Sequence, residues 1–321
     1  MPGMKDPSSP RFPHHPGHAH VLAGIFVLCL LLLAGCNKER AGGSKQNQQA
    51  RQTLTIGLVT EQDVFKQIRR YEPLAEYLAL RLDMNVRLSV MPGYDEALNT
   101  FVENKMDAAF FGSMTYVLAH SRLGVEVIAR PVDLDGMSTY YGVLIVRADS
   151  KIFSSKGMKG KRMAFVAKNT MAGYLHPLGY FKKNDIDYRT YFKEFYFTGT
   201  HEDVIYDILD RKADVGAVKS TVLARLAAED PKVAKELFII SRTPPVPENS
   251  LAVRPDLSAS LKEKIRTTLL NMHEDPEGIK ALQDFKAQKF IATRDRDFHS
   301  IYIYAHELGI DVHAENGATK P

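Results

Sequence analysis

Residues 166–177 read VAKNTMAGYLHP: an apolar strand end, then Asn169-Thr170, then a small-residue run that opens a helix. A strand turning straight into a helix leaves backbone N–H groups unpaired, a seat for an anion. Thr170 adds one hydroxyl to that seat, whereas Met171 and Ala172 add none. His201 stands at a second helix start, between Thr200 and Asp203 at the spacing of an N-terminal cap. Catalytic patterns are missing. Nothing matches a phosphate-cradling Gly-rich loop with Lys, a Gly-x-Ser-x-Gly elbow or a His-Glu-x-x-His helix. His299 and His306, with Asp295 nearby, could share a helix face, but such histidines more often belong to surface or core than to a metal site. The expectation is a binding protein rather than an enzyme, with no cofactor and no metal.

These residues need elements to hold them in place. LTIGLV (54–59), VRLSV (86–90), DAAFFG (107–112) and VEVIARPV (125–132) read as strands separated by helical patterns. Such an order builds a largely parallel sheet covered on both faces. The order resumes with KRMAFVA, FKEFYFTG and DVGAVK, which predicts a second lobe. An internal match supports the pairing of lobes. With Tyr94 set over His201, YDEALNTFVENKMDAAFFGSMTYVLA lies on HEDVIYDILDRKADVGAVKSTVLA without a gap through Ser113 and Ser220. Tyr94 and His201 then occupy equivalent helix starts, and Lys219 takes the place of Gly112 at a strand's carboxyl end.

Ligands of open parallel sheets collect outside the carboxyl ends of the strands. Two such lobes face to face make a cleft walled by helix N-termini, suited to a small anion. STYYGVLIVRADS (138–150) and the proline-rich SRTPPVPENSLAVRPDL (241–257) are the two crossovers, a double linker that permits hinge closure. The expected lobes are 53–139 plus 250–321, and 140–249, with the helices after about Ser258 returning to the first. Tyr140 and Tyr141 would line the hinge side of the cleft.

The chain's start is read separately. Val21–Ala34 is an uncharged apolar run preceded by Lys5 and Arg11, in the position of a secretory signal. It ends in Leu33-Ala34-Gly35-Cys36, which resembles the bacterial lipobox. A signal peptide over 1–35, lipid (palmitate or a similar acyl chain) on Cys36 and a polar tether over 36–52 follow. The protein would be exported and anchored at the cell envelope, facing the periplasm. Cys29 leaves with the leader, so no free thiol remains for a disulfide or a nucleophile. Losing Lys5, Asp6 and Arg11 lowers the formal charge from +4 to +3, too mild to attract nucleic acid.

The body resembles the phosphate-, phosphite- and phosphonate-binding subunits of ABC importers, within the periplasmic binding proteins. The resemblance runs from about Leu54 to Tyr304. It rests on YEPLAEYLA (71–79), DAAFFGSMTYVLA (107–119), GVLIVRADS (142–150), MKGKRMAFV (158–166), FTGTHEDVI (197–205) and DVGAVKSTVL (214–223). It implies an α/β, class II-like fold of two lobes with two hinge strands. It also implies a monomer that captures a small phosphorus oxyanion and passes it to a permease. Reporting the bound state to a sensor kinase, or binding a non-phosphorus anion, are the alternatives. The resemblance makes Tyr116 a ligand contact flanked by Ser113 and Thr115, and His201 an anion donor whose charge would make binding pH-dependent. The family's Ser-Thr-Ser-Gly grip falls on Thr170, Met171, Ala172 and Gly173, with two hydroxyls lost. Lys219 stands where many relatives carry an acid; it would favour a more anionic ligand, or point to solvent.

Overall fold

The structure, a computed structural model, describes residues 51–314. The expected signal peptide, the expected lipidation site Cys36 and nearly all of the expected tether lie outside the described residues. Strand β1 (Thr53–Val59) is buried from its second residue onward, as a continuous apolar run requires when both faces are covered. β2 (Asn85–Met91) and β3 (Ala108–Phe111) flank it in parallel. β4 (Glu126–Asp133), β12 (Ser250–Val253) and β13 (Ala287–Ala292) complete a six-stranded sheet in the order β13-β4-β12-β3-β1-β2. The second sheet holds five strands. They are β6 (Gly142–Arg147), β7 (Arg162–Phe165), β8 (Glu194–Phe197), β9 (Val215–Lys219) and β10 (Leu237–Arg242), ordered β10-β6-β9-β7-β8.

The expected parallel order holds for β2-β1-β3 and for β8-β7-β9. Strands that enter from a crossover run the other way. β6 starts at Gly142, opposite the end of β9 at Lys219, and β12 starts at Ser250, opposite the end of β3 at Phe111. The reason is geometric. The parallel strands end at the cleft, while a chain arriving from the other lobe begins there and must travel away. Both sheets are therefore mixed.

The crossovers pair with each other. β5 (Thr139–Tyr140) and β11 (Val246–Pro247) form a two-stranded antiparallel ribbon. Glu248 N donates to the Ser138 carbonyl at 3.0 Å, and Thr243 Oγ1 accepts from Gly142 N at 2.9 Å. Gly142 must be glycine. A Cβ there would lie 2.9 Å from His176 Cβ and 3.1 Å from Ala172 Cα. Helices Ala259–Leu270 and Pro276–Phe285 bury Ile265, Leu269 and Phe285 with β1 residues Leu54, Ile56 and Leu58. The last helix, His299–Glu307, leans on both halves. It touches the Ser113–Leu123 helix, while its end accepts from Lys182 Nζ at the Glu307 carbonyl, 2.5 Å away.

Candidate functional site

A small cavity sits where the strand ends of the two sheets converge. Glu61, Tyr94, the Gly112–Thr115 turn, Tyr140, Thr170, Met171, Ala172, His201, Lys219 and Asn249 line it. Its volume is about 10 Å³, room for about one water molecule. A wider surface groove of about 710 Å³ runs past Tyr77, Arg81 and Asp275. It lies away from the strand ends, and its polar groups pair among themselves: Tyr77 Oη donates to Asp275 at 2.5 Å, and Arg81 contacts the same carboxylate at 3.1 Å.

The cavity brings together Tyr94, Ser113, Thr115, Tyr140, Thr170, Met171, Ala172, His201 and Lys219. Tyr116 and Tyr141 fall outside it. One residue past Thr115, the helix has turned about 100°, and Tyr116 points into the core. Its ring packs 4.3 Å from that of Phe298 and its hydroxyl donates to Asp295 at 3.1 Å. Tyr141 follows Tyr140 along an extended segment, so its side chain takes the opposite face. Its backbone instead exchanges bonds with Ser220, at 3.0 Å to the hydroxyl and 2.9 Å from the amide.

The hydroxyls expected to grip an anion are already engaged. Ser113 Oγ donates to the Pro247 carbonyl at 2.6 Å, Thr115 Oγ1 to the Asn169 carbonyl at 3.1 Å, and Thr170 Oγ1 to the Ala167 carbonyl at 2.6 Å. Backbone amides remain. In the Ser113–Leu123 helix the first intrahelical bond runs from Tyr116 N to the Gly112 carbonyl, leaving the N–H groups of Ser113, Met114 and Thr115 ahead of it. Opposite, Met171–Leu175 is a π turn. The Thr170 carbonyl accepts from Leu175 N at 3.1 Å, so four amides, one more than in an α-helix, precede the first bond. Gly173 makes this turn fit. A Cβ on it would lie 2.4 Å from Val166 Cβ and 2.7 Å from Thr170 Oγ1.

His201 is buried, and Lys219 N donates to its Nδ1 at 3.2 Å, which leaves the ring proton on Nε2. Burial pushes its pKa down to about 3. The imidazole is a neutral donor at physiological pH, which corrects the expectation of charge-dependent binding through this residue. The amides at the start of its helix are also taken: His201 N and Glu202 N both donate to the Glu61 carbonyl, at 3.1 and 3.3 Å. The Ser113 helix start and the π turn, one from each side of the cleft, therefore present free amides to the cavity, while the His201 helix start does not. Tyr94, expected to be the counterpart of His201, meets it edge to face at 6.0 Å.

Lys219 does not point to solvent; the residue is 2% exposed. Its ammonium contacts Glu61 at 2.7 Å, Asn249 Oδ1 at 2.8 Å and Glu248, with the Tyr140 ring 4.7 Å away. Burial would raise the Glu61 carboxyl, but the combined pull of Lys219 and Arg225 outweighs it and holds the group well below the usual carboxylate range. Glu61, Glu248, Asn249 and Asp95 are cavity or cleft residues beyond those expected from the sequence. Glu61 is the most legible of them, since it lies two residues beyond β1, at a strand's carboxyl end. Asp95 accepts from Asn169 N at 3.0 Å and so fixes the 169–172 loop from the other side of the cleft.

The model of the family described as ABC transporter, phosphonate, periplasmic substrate-binding protein matches residues 56–298. The phosphonates-binding periplasmic protein of Escherichia coli (strain K12) is 26% identical over 253 residues, 77% of this chain and 74% of that protein. A binding protein component of an ABC phosphonate transporter from Pseudomonas aeruginosa superposes with a TM-score of 0.75 at 25% identity. That match covers 80% of this chain and 87% of the other. A protein from Prochlorococcus marinus (MIT 9301), solved in complex with methylphosphonate, shares the fold at a TM-score of 0.72 and 21% identity, over 80% and 98% of the two chains.

Proposed function

The chain belongs to the periplasmic phosphonate substrate-binding proteins of ABC transporters, and on that premise we propose that its interlobe cavity captures a small phosphorus oxyanion for import. The observation that carries the reading is the convergence of donors without a free formal charge. Amides of Ser113–Thr115 and of Met171 and Ala172 line the cavity together with the neutral His201 ring, whose proton is on Nε2. Oxyanion oxygens suit such an array, because fixed backbone dipoles stabilise negative charge without reorganising. Tyr94 and Tyr140 supply apolar walls that would take a hydrogen or a small alkyl group on phosphorus.

Within this reading the lobes comprise 53–139 with 250–321, and 140–249, and they part about the β5–β11 ribbon to admit the ligand. Acylation of Cys36 holds the monomer at the envelope beside its permease, a proposal that rests on the lipobox-like Leu33–Cys36 stretch. A thermal-shift panel of the purified protein with phosphate, phosphite, methylphosphonate, sulfate and thiosulfate tests the ligand class. A ligand at about a hundred times its dissociation constant should stabilise by about 2.7 kcal/mol. A response to sulfate alone, or to none of the five, would sink the proposal.

A further inference from the structure

One group in the cavity takes no part in the amide array: the buried ammonium of Lys219. Lys219 Nζ has three N–H donors and three acceptors, Glu61, Glu248 and Asn249, while the Tyr140 face covers it at 4.7 Å. Two carboxylates, an amide oxygen and an aromatic face are the set that recognises a primary ammonium. That set borders the same cavity as the amide array. The acceptors also come from different parts of the chain. Glu61 follows β1, Glu248 and Asn249 follow the hinge strand β11, and Lys219 ends β9 of the other sheet. At the equivalent strand end, Gly112 carries no side chain at all.

We infer that Lys219 is a built-in occupant of an ammonium cage beside the oxyanion seat, and that it restricts this protein to phosphorus oxyanions without an amine. A ligand carrying both a phosphonate and an ammonium a short alkyl chain apart would meet Nζ in the place its own amine requires. The cage would be full, and the second cation would stand against the first with no carboxylate to itself. An amine-free ligand meets no such conflict. The inference rests on the oxyanion reading and adds to it the class of substituent that the site rejects.

Calorimetric titration of the wild-type protein with methylphosphonate and with 2-aminoethylphosphonate provides the primary test. Methylphosphonate should bind at least about tenfold more tightly, as expected when a polar site is confronted with a group it cannot pair. Equal or tighter binding of 2-aminoethylphosphonate would overturn the inference. If neither ligand nor phosphite binds, the oxyanion reading itself fails and takes the inference with it. Lys219→Ala gives an independent readout. The vacated cage should accept ethylammonium, so ethylammonium chloride should raise the melting temperature of this variant above the rise given by sodium chloride, with no such difference for the wild type. Equal effects of the two salts on Lys219→Ala would contradict the cage. Should that variant fail to fold, the wild-type ligand ratio still decides.

Discussion

At the scale of single residues, the site is a set of donors whose protonation is fixed by burial. His201 and His176 are both buried, and burial pushes their pKa values down to about 3 and about 4. An unfolded chain protonates histidine near 6.5. Between the folded and unfolded values the unfolded state therefore binds more protons, and stability rises with pH through that window, complete above about 6.5. Lowering the pH from about 6.5 to about 4 should cost on the order of 3 kcal/mol per histidine. The Glu61 carboxyl, held low by Lys219 and Arg225, acts in the same direction below its ordinary range. Melting temperatures measured across this range should fall steadily toward acid, with a shallower slope in His176→Asn. A flat profile would mean that these rings are solvated. The loop residues make a second residue-scale prediction. Met171→Thr with Ala172→Ser restores hydroxyls beside the amide array, and each hydrogen bond to a charged oxygen contributes about 1.5–3 kcal/mol. Phosphonate affinity should rise by about tenfold or more; unchanged affinity would make the loop scaffold rather than selector.

At the scale of elements, the π turn at Met171–Leu175 is the device that aims a strand end at the cavity. Its opening onto a helix is readable in VAKNTMAGYLHP, because an apolar strand meets a hydroxyl and then small residues. Its π character is not, since the wider turn depends on Gly173 settling against Val166. Gly173→Ala should cost about 1–3 kcal/mol of stability through forced repacking. It should also weaken ligand binding, because the amides shift with the turn; retained affinity would remove them from the site. The internal match holds only in part: His201 opens its helix, but Tyr94, expected at an equivalent helix start, lies in a turn three residues ahead of the Ala97–Glu103 helix. Ser113 and Ser220 each open a helix directly after a strand end, as the alignment required. Side-chain direction was harder to read. Tyr116 is adjacent to Thr115 yet faces Phe298 and Asp295, and the hydroxyls of Ser113, Thr115 and Thr170 turn to backbone carbonyls. Those partners are brought near by the tertiary fold, which no local pattern encodes.

At the scale of the molecule, groups from both sheets' loops bind each other directly across the cleft. Glu202 accepts from Lys66 Nζ and from Asp63 N, each at 2.7 Å, and Arg225 reaches Gln62 at 3.2 Å. The two-lobed plan and both crossovers could be read from the alternation of strands and helices. These cross-cleft bonds could not, because they join residues more than a hundred positions apart in sequence. Glu202→Ala should loosen closure, seen as a larger radius of gyration in solution scattering and a severalfold faster ligand release. An unchanged radius and release rate would show that the bonds do not hold the lobes. The cavity itself offers the most direct test of what the protein captures. Gly112 has ordinary backbone angles, φ −67° and ψ 163°, and a Cβ on it would make only ordinary contacts with Asn249, Tyr94 and Thr115, all of them at the cavity. Gly112→Ala should therefore fold and place its Cβ against the cavity wall. The decisive measurement is a calorimetric titration of the wild type and Gly112→Ala with methylphosphonate. Saturable one-to-one binding to the wild type and binding at least about tenfold weaker to the variant is the expected result. Equal binding to both would place the ligand outside this cavity and contradict the account.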